Sequence, residues 1–272
     1  MEMFRSPLLL SSKHHKEVLL QPLFEPYGVQ LIIPDGFDSD AFGTFCGAIP
    51  RAEGPKHTVK EKCLAGMAHA NRNQGLASEG SFGAHPSFPF LTINEEWLVF
   101  IDLKQDLEIY GHSTTLEVCY AQLGYQEKEQ LQSFLDNCSF GSQALIFKDR
   151  KSGELIKKGI QDLASLKQLM KKHPEWQLET DLRAHLNPLR QKNIIAAGRD
   201  LLKRMESRCP KCKKPDFSVT QYSGKLLCSW CQKPTDSYAF LESNCAYCNY
   251  QIIEKRRDKE VEDPQYCNGC NP

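Results

Sequence analysis

The chain has 272 residues, of which 40% are hydrophobic and 25% are charged, a composition typical of a folded globular protein. Its 34 basic and 34 acidic residues cancel, so the chain lacks the excess positive charge that usually accompanies nonspecific nucleic-acid binding. No apolar run approaches the roughly 18 residues that a membrane-spanning helix needs, which predicts a cytoplasmic protein without a membrane segment.

The N-terminal segment predicts a β-α-β unit. Residues 7–11 form a short apolar run typical of a buried strand, and residues 13–26 carry apolar side chains at helical spacing. Gly28 ends this helix, and residues 29–33 predict a second strand. Residues 35–55 are rich in Gly, Asp and Phe without periodicity, which predicts an ordered loop.

The middle of the chain predicts a helix followed by strands. Residues 58–61 have the sequence of a capping box, which predicts a helix over residues 59–74. A short apolar strand then leads to Glu79, and residues 80–86 predict a turn-rich loop. The β-rich runs over residues 97–123 predict a meander.

The remaining pattern completes a mixed α/β domain. Helical segments and a buried strand at residues 144–147 precede a long helix, with Asn187 as its N-cap and Pro188 in its first turn. We therefore predict an α/β domain over residues 1–206, with a mixed sheet and flanking helices. A small double zinc-ribbon-like module follows over residues 207–272.

Eight of the 12 cysteines form Cys-x-x-Cys pairs near the C-terminus: Cys209 and Cys212, Cys228 and Cys231, Cys245 and Cys248, Cys267 and Cys270. This spacing is typical of tetrahedral four-cysteine sites. A reducing compartment favours metal thiolates over disulfides, and four thiolates leave no open position on the ion, so we predict two structural zinc ions. We expect sequential pairing, the first pair with the second and the third with the fourth, although an interleaved or nested arrangement would also satisfy both ions.

Polar residues alternate with mostly apolar ones just before the long helix. They are Glu179, Asp181, Arg183, His185 and Asn187. In an extended chain they share one face, and the following helix N-terminus adds N–H donors suited to an anionic group or a metal-bound phosphate. A solvated strand face with internal ion pairs explains the same mixture.

Two other places in the chain could carry phosphate chemistry. Glu79, between Ser78 and Gly80, could bind Mg²⁺, with a surface turn as the alternative. Lys13 and Lys16 lie between the first strand and the first helix, the position at which α/β proteins commonly receive phosphate. Lysine and histidine clusters also occur in such positions without a ligand.

The motifs together resemble an uncharacterised bacterial family known only as a domain of unknown function. The resemblance lies in residues 11–17, 76–83 and 179–188 and in the four Cys-x-x-Cys pairs, and it extends over nearly the whole chain. It implies no established activity.

The N-terminal domain also resembles, more distantly, the house-cleaning nucleoside triphosphate pyrophosphatases that act on inosine and xanthosine triphosphates. The resemblance implies that Lys16 contacts phosphate and that Glu79 binds Mg²⁺ or activates water. It also implies that Arg183 and His185 contact the nucleotide. The chain departs from that family where Lys13 replaces an asparagine and where Arg183 and His185 occur in the opposite order.

Two functional hypotheses follow. The first is a Mg²⁺-dependent hydrolase of nucleotides or related phosphate compounds, with Glu79 and Asp181 near the metal and with phosphate contacted by Lys13, Lys16, Arg183 and His185. The second is a zinc-ribbon module that binds protein or RNA on a non-catalytic α/β scaffold, with aromatic residues such as Trp230 beside the metal ligands. The hydrolase hypothesis requires three distant stretches of the chain to line one cleft.

Overall fold

The computed structural model describes three stretches of the chain, residues 4–12, 15–38 and 54–272. The chain divides into two compact units, Met1–Leu201 and Leu202–Pro272. Lys13 lies outside the described residues, as does most of the predicted loop at residues 35–55. None of the described helices has both the length and the apolar character that crossing a bilayer requires.

A five-stranded mixed sheet forms the centre of the first unit. Its strands are β1 (Leu8–Ser11), β2 (Leu31–Ile32), β3 (Gln74–Ala84), β4 (Thr92–Asp102) and β5 (Leu107–Thr115). The strand order is β2-β1-β3-β4-β5, with β1 parallel to both β2 and β3 and the other pairs antiparallel. The predicted β-α-β opening is confirmed, and the first two strands of the predicted meander are the antiparallel neighbours β4 and β5. The meander is wrong beyond Thr115, because the chain then leaves this sheet and residues 122–124 pair with a strand of the second sheet.

The α-helices of the described residues are α1 (Lys16–Phe24), α2 (Pro55–His69), α3 (Leu131–Asn137), α4 (Leu163–Lys172) and α5 (Pro188–Glu206). Short 3-10 helices span Glu25–Tyr27, Tyr125–Gln130, Ala184–Leu186 and Pro264–Tyr266. Helix α2 covers one face of the five-stranded sheet, where Val59, Cys63 and Met67 form a buried cluster with Leu9 and Ala77. Burial of this apolar stripe holds α2 against β1 and β3.

Helices α1 and α5 pack on the opposite face of the same sheet. A Cβ atom added to Gly198 of α5 would lie 2.7 Å from Leu23 of α1 and 3.8 Å from Leu98 of β4. Leu98 points away from α2, because successive strand residues face opposite sides and its neighbour Val99 belongs to the α2 cluster. The sheet therefore has helices on both faces, which confirms the predicted mixed α/β fold.

Helix α2 begins at Pro55 rather than at the predicted capping box of residues 58–61. Gly54 is the N-cap, and a proline suits the first turn because its φ is already helical and its missing N–H would have no partner there. Thr58 lies inside the helix, where its hydroxyl donates to the Gly54 carbonyl oxygen at 3.2 Å. The helix ends at His69, before the predicted boundary at residue 74.

The loop predicted at residues 80–86 is wrong for most of its length, because β3 continues to Ala84 and pairs with β4 throughout. The glycine that suggested a turn has another role. A Cβ atom at Gly80 would lie 2.1 Å from Glu96 Oε1, so the absence of a side chain makes room for the Glu96 carboxylate.

A second, antiparallel sheet belongs to the same unit. Its strands are β6 (Gln122–Gly124), β7 (Leu145–Asp149), β8 (Leu155–Ile160) and β9 (Trp176–Thr180), in the order β6-β9-β7-β8. Phe134 of α3 and Leu166 of α4 are buried in one cluster with Phe147 and Leu178 of this sheet.

The extended row predicted over residues 179–187 is wrong beyond Thr180, where β9 ends. The Asp181 carboxylate accepts a hydrogen bond from the Arg183 backbone N–H at 3.1 Å, which turns the chain. A 3-10 helix at Ala184–Leu186 follows, so the polar residues of the row do not share one strand face.

The second unit contains a three-stranded antiparallel sheet of β10 (Ser218–Ser223), β11 (Phe240–Asn244) and β12 (Gln251–Lys255), in that order. Besides cysteines, the buried hydrophobic residues of this unit are Leu202, Met205, Leu226 and Ala239. So small an apolar core does not by itself stabilise a fold of this size.

Candidate functional site

The carboxyl end of β1 is the point at which the connections of the first unit diverge. The chain passes from β1 through α1 to β2 on one side, and then through α2 to β3 on the other side of β1. Ligands of open α/β sheets bind at such a topological switch point, outside the carboxyl ends of the strands. This end of β1 is therefore the candidate ligand site of the unit.

Lys16, the first residue of α1, is buried at this end of the sheet. Its Nζ atom donates to Ser78 Oγ at 2.6 Å and lies 3.9 Å from Glu96 Oε2. The pKa of Lys16 is lowered to about 7. Burial is the main cause and the nearby Arg190 cation adds to it, while the Glu96 carboxylate partly offsets both by favouring the charged form. Buried lysines with a lowered pKa occur at functional sites and also in structural ion-pair networks, so the position of Lys16 at the switch point is what makes it a candidate.

Glu96 connects Lys16 to helix α5. Its Oε1 atom accepts hydrogen bonds from Arg190 Nε at 2.6 Å and from Asn94 Nδ2 at 3.1 Å. Its Oε2 atom is buried and accepts no hydrogen bond from the residues that the structure describes. Arg190 is also buried, and its Nη1 atom donates to the Leu182 carbonyl oxygen at 2.6 Å. One carboxylate oxygen of Glu96 is thus engaged while the other keeps its acceptor capacity.

Glu79 lies on the α2 side of β3, where it forms an ion pair with Lys62. The side chains are 5% and 8% exposed, so the pair is buried. Lys62 Nζ and Lys16 Nζ each lie 3.5 Å from the Ser78 carbonyl oxygen. The two ammonium groups therefore converge on one peptide group from opposite faces of the sheet.

Asp181 and Arg183 are largely engaged with each other. Arg183 Nη2 donates to Asp181 Oδ2 at 2.6 Å, and Arg183 Nε donates to Oδ1 at 3.0 Å. The Gly159 backbone N–H donates to the same carboxylate at 3.2 Å. Asp181 is fully buried, and this bidentate pair fixes the chain between β9 and α5.

His185 lies beside the start of α1. Its ring centroid is 5.4 Å from that of His15, the residue immediately before Lys16. Asn187 is the predicted N-cap of α5, and its Oδ1 atom accepts from the Arg190 backbone N–H at 3.0 Å.

The structure brings together part of the predicted site. Lys16 and Glu79 meet around Ser78, and His185 reaches the neighbourhood of Lys16 through His15. Asp181 and Arg183 form an ion pair of their own instead of facing Glu79 in a shared ligand set. Among the described residues, the only groups of three or more close His, Cys, Asp or Glu ligands are made of cysteine, so no preformed carboxylate cluster supports the predicted Mg²⁺.

Lys16, Lys62, Glu79, Glu96 and Arg190 together form a buried charge cluster. Three of its members, Lys62, Glu96 and Arg190, were not predicted from the sequence. What distinguishes Glu96 and Arg190 in the sequence is a charged residue on the apolar face of a strand or a helix. Arg190 continues the α5 stripe of Ile194 and Ala197 at helical spacing, and Glu96 alternates in phase with the buried residues Leu98 and Phe100. Charged groups are almost never fully buried unless paired, so such positions indicate a buried ion pair or a binding site.

The second unit contains two groups of cysteines, each with four members. One group is Cys209, Cys212, Cys245 and Cys248; the other is Cys228, Cys231, Cys267 and Cys270. Between the two Cys-x-x-Cys pairs of the first group the Sγ atoms lie 3.5 and 3.7 Å apart, and in the second group the corresponding distances are 3.6 and 3.8 Å. Four sulfurs at about 2.3 Å from one zinc ion would be about 3.8 Å apart, so each group could hold one metal ion.

The expected sequential pairing is wrong, and the interleaved alternative is confirmed. The reason is the strand register. Because β10 and β11 are antiparallel with Ser218 opposite Asn244, the segment before β10 lies beside the segment after β11. The Cys209–Cys212 turn therefore meets the Cys245–Cys248 turn.

The cysteine turns are shaped to receive metal. Lys213, Gln232 and Asn249 each follow a Cys-x-x-Cys pair with positive φ, and the backbone N–H of each donates to the carbonyl oxygen of the first cysteine of its pair. This turn aims further N–H groups at the sulfur. Hydrogen bonds, first of all from the Cys231 backbone N–H, lower the pKa of the Cys228 thiol to about 7, whereas hydrogen bonds with the neighbouring thiols raise the pKa of Cys270 in the same group. Cys228 therefore forms a thiolate more readily than an ordinary cysteine.

Comparison with known proteins places the chain in a family. No curated protein and no solved structure matches it. Residues 62–272, which contain Glu79, Asp181, Arg190 and both cysteine groups, match one family. As the sequence resemblance predicted, the chain belongs to the family described as Domain of unknown function (DUF6671).

Proposed function

We propose that the first unit binds and hydrolyses a nucleotide or a related phosphate compound at the carboxyl end of β1. The observation that carries the proposal is the convergence of Lys16 and Lys62 on Ser78 at the topological switch point. A bound anion would favour the protonated form of Lys16, whose pKa is lowered to about 7 by burial, and in this low-dielectric environment the two ammonium groups would then attract the anion more strongly than they would in water. With Arg190, the cationic groups exceed the carboxylates Glu79 and Glu96 by one when all are ionised, which suits an anionic ligand.

Glu79 is the candidate for the reaction itself. A carboxylate next to the phosphate site can orient an attacking water or hold Mg²⁺, which in proteins commonly takes one or two carboxylates together with substrate oxygens and waters. The ion would polarise the phosphoryl group. Lys62 neutralises Glu79, so a cation could bind Glu79 only after the Lys62 side chain moves from the carboxylate to a phosphate oxygen.

Zinc is the metal that we propose for the two cysteine groups. Four thiolates and a tetrahedral arrangement are typical of structural zinc and leave no position for substrate. The zinc ions would therefore stabilise the second unit and take no part in hydrolysis.

A panel of nucleoside triphosphates, assayed for release of phosphate and pyrophosphate with and without added Mg²⁺, tests the hydrolase proposal. We expect turnover that falls by at least about 100-fold in Glu79→Gln, since loss of a positioned base or metal ligand has effects of this order. Glu154→Gln is the matched control, because Glu154 is exposed in the turn between β7 and β8. No release from any substrate, or full turnover by a folded Glu79→Gln variant, would overturn the proposal.

A second candidate function rests on Trp230, which is 78% exposed and lies between Cys228 and Cys231 in the chain. Aromatic side chains in such positions stack on unpaired bases. We infer that the second unit binds single-stranded RNA. Trp230→Ala should then weaken binding of an RNA oligomer about tenfold in a gel-shift assay. Tyr222→Ala, which removes an exposed aromatic ring from β10, should have no effect, and equal loss in both variants would contradict the inference.

A further inference from the structure

A pocket of about 490 Å³ lies on the α2 side of the five-stranded sheet. The start of α2 and the strands β4 and β5 form its walls. The lining residues that bear on its chemistry are Lys56, Lys60, Glu95, Trp97, Glu108 and Tyr110.

Aromatic rings form one wall of this pocket. Trp97 is half-buried, with the His112 ring stacked against it at a centroid distance of 4.0 Å and an interplanar angle of 25°. Tyr110 meets Trp97 edge-on at 6.0 Å. Lys56 Nζ lies 4.7 Å from the Tyr110 centroid and 5.5 Å from that of Trp97. Lys56 Nζ thus lies over the faces of both rings, and a flat, polarisable ring system would take the place of this ammonium group on the aromatic surface.

Carboxylates stand at the edge of the aromatic wall. Glu108 accepts a hydrogen bond from the Tyr110 hydroxyl at 2.7 Å and pairs with Lys60 at 2.7 Å. Glu95 lies 2.9 Å from His112 Nε2. Ionised carboxylates are acceptors only, so a ring that carries N–H groups could bind here while a purely apolar ring would gain less.

The pocket adjoins the phosphate site. Trp97 is directly opposite Glu79 in the register of β3 and β4, so both side chains lie on the α2 face within cross-strand contact distance. Helix α2 contributes a lysine to each site: Lys56 lines the pocket, and Lys62 pairs with Glu79. These lysines are six residues apart, or about 9 Å along the helix axis.

We propose that this pocket holds the base of a nucleotide whose phosphates lie at the Lys16 and Lys62 cluster. The substrate class is then a nucleoside phosphate, and sugar phosphates and inorganic polyphosphates are excluded as preferred ligands. This inference rests on the proposed phosphate site, and it adds an independent aromatic wall that a phosphate alone does not need.

Calorimetric titration of the full-length protein with a purine nucleoside triphosphate and with inorganic tripolyphosphate, both with Mg²⁺, tests the inference. We expect the nucleotide to bind at least about tenfold more tightly, because its base can stack on the aromatic wall and tripolyphosphate has no base. Trp97→Leu should remove this preference while the affinity for tripolyphosphate is retained. Phe90→Leu is the control, since Phe90 is 82% exposed between β3 and β4 and lies outside the pocket.

The outcomes separate the two proposals. Equal affinity of the wild-type protein for both ligands would overturn the base site and leave the phosphate site standing. Binding of neither ligand would overturn both. If Trp97→Leu does not fold, photolabelling of the wild-type protein with an azidopurine nucleoside triphosphate decides the matter. Labelled peptides should then contain residues 54–60 or Trp97, and labelling confined to other peptides would reject the base site.

Discussion

The two units of this protein use charged and ionisable groups in opposite ways. The first unit has an apolar cluster on each of its two sheets, and it also buries the charged residues Lys16, Lys62, Glu79, Glu96 and Arg190. The second unit has few buried apolar side chains and gathers eight cysteines into two groups. The first fold can tolerate buried charge because its core supplies the stability, whereas the small apolar core of the second unit would need the metal ions that we propose for its cysteine groups.

The comparison indicates which ionisable groups serve folding and which are available for function. Buried charges that a core does not need indicate a ligand, because an apolar replacement would often stabilise the protein equally well or better. Thiolates that a fold does need indicate a structural metal. The candidate chemistry therefore lies in the first unit.

Metal removal should produce the largest effect. Treatment of the full-length protein with a strong chelator should unfold the second unit while the first unit keeps its structure, because only the second unit lacks an adequate apolar core. Hydrogen exchange measured by mass spectrometry should show loss of protection in β10, β11 and β12 and unchanged protection in β3 and β4. Unchanged protection in β10 to β12 of metal-free protein would contradict this account.

Pairs of cysteine variants should sharpen the assignment of the metal sites. The double variant Cys212→Ser and Cys248→Ser damages one group, so it should retain one tightly bound metal ion per chain. The double variant Cys212→Ser and Cys231→Ser damages both groups and should lose tight binding of both ions. Metal content after dialysis provides the measurement, and the reverse result would support sequential pairing.

Breaking the buried ion pair between Arg190 and Glu96 should have the next largest effect. Arg190→Met leaves the Glu96 carboxylate buried without its closest partner, which should lower the free energy of unfolding by about 3–5 kcal/mol in urea denaturation. Adding Glu96→Gln should recover much of this loss, since the buried carboxylate is gone and Lys16, whose pKa is already lowered to about 7, can stay neutral beside the glutamine. A double variant no more stable than Arg190→Met would show that the charge is not the cause.

A pH dependence caused by Lys16 should be the smallest effect when it is measured over a single pH unit. Its pKa of about 7 in the folded protein lies below the ordinary 10.5, so between these values the unfolded chain binds a proton that the folded protein has lost. The free energy of unfolding should rise with pH across this window, by at most about 1.4 kcal/mol per pH unit from this group, and the contribution should be flat below it. Urea denaturation at several pH values should show a shallower slope for Lys16→Met, and identical slopes would contradict the assignment.

Features that depend on a few neighbouring residues were predictable from the sequence, in the cysteine groups and at the start of α5. Cys-x-x-Cys spacing identifies metal ligands because it reflects one turn of the backbone, and Asn187-Pro188 identifies the start of α5 because capping is local. The pairing of the cysteine turns was not predictable, since it follows from the antiparallel register of β10 and β11.

The buried charge cluster was only partly predictable for the same reason. Lys16 follows a strand and begins a helix, a recognisable position for phosphate contact. Lys62 meets Glu79 only because α2 packs on β3, and Gly80 serves a carboxylate on the neighbouring strand rather than a turn. Tertiary contacts of this kind leave no periodic signal in the chain.

A crystal structure of the full-length protein with a non-hydrolysable nucleoside triphosphate and Mg²⁺ tests the central claim most directly. The account predicts phosphate oxygens within hydrogen-bond distance of Lys16 Nζ or Lys62 Nζ at the carboxyl end of β1. A nucleotide bound elsewhere, with the Lys62–Glu79 and Lys16–Ser78 contacts intact, would contradict it.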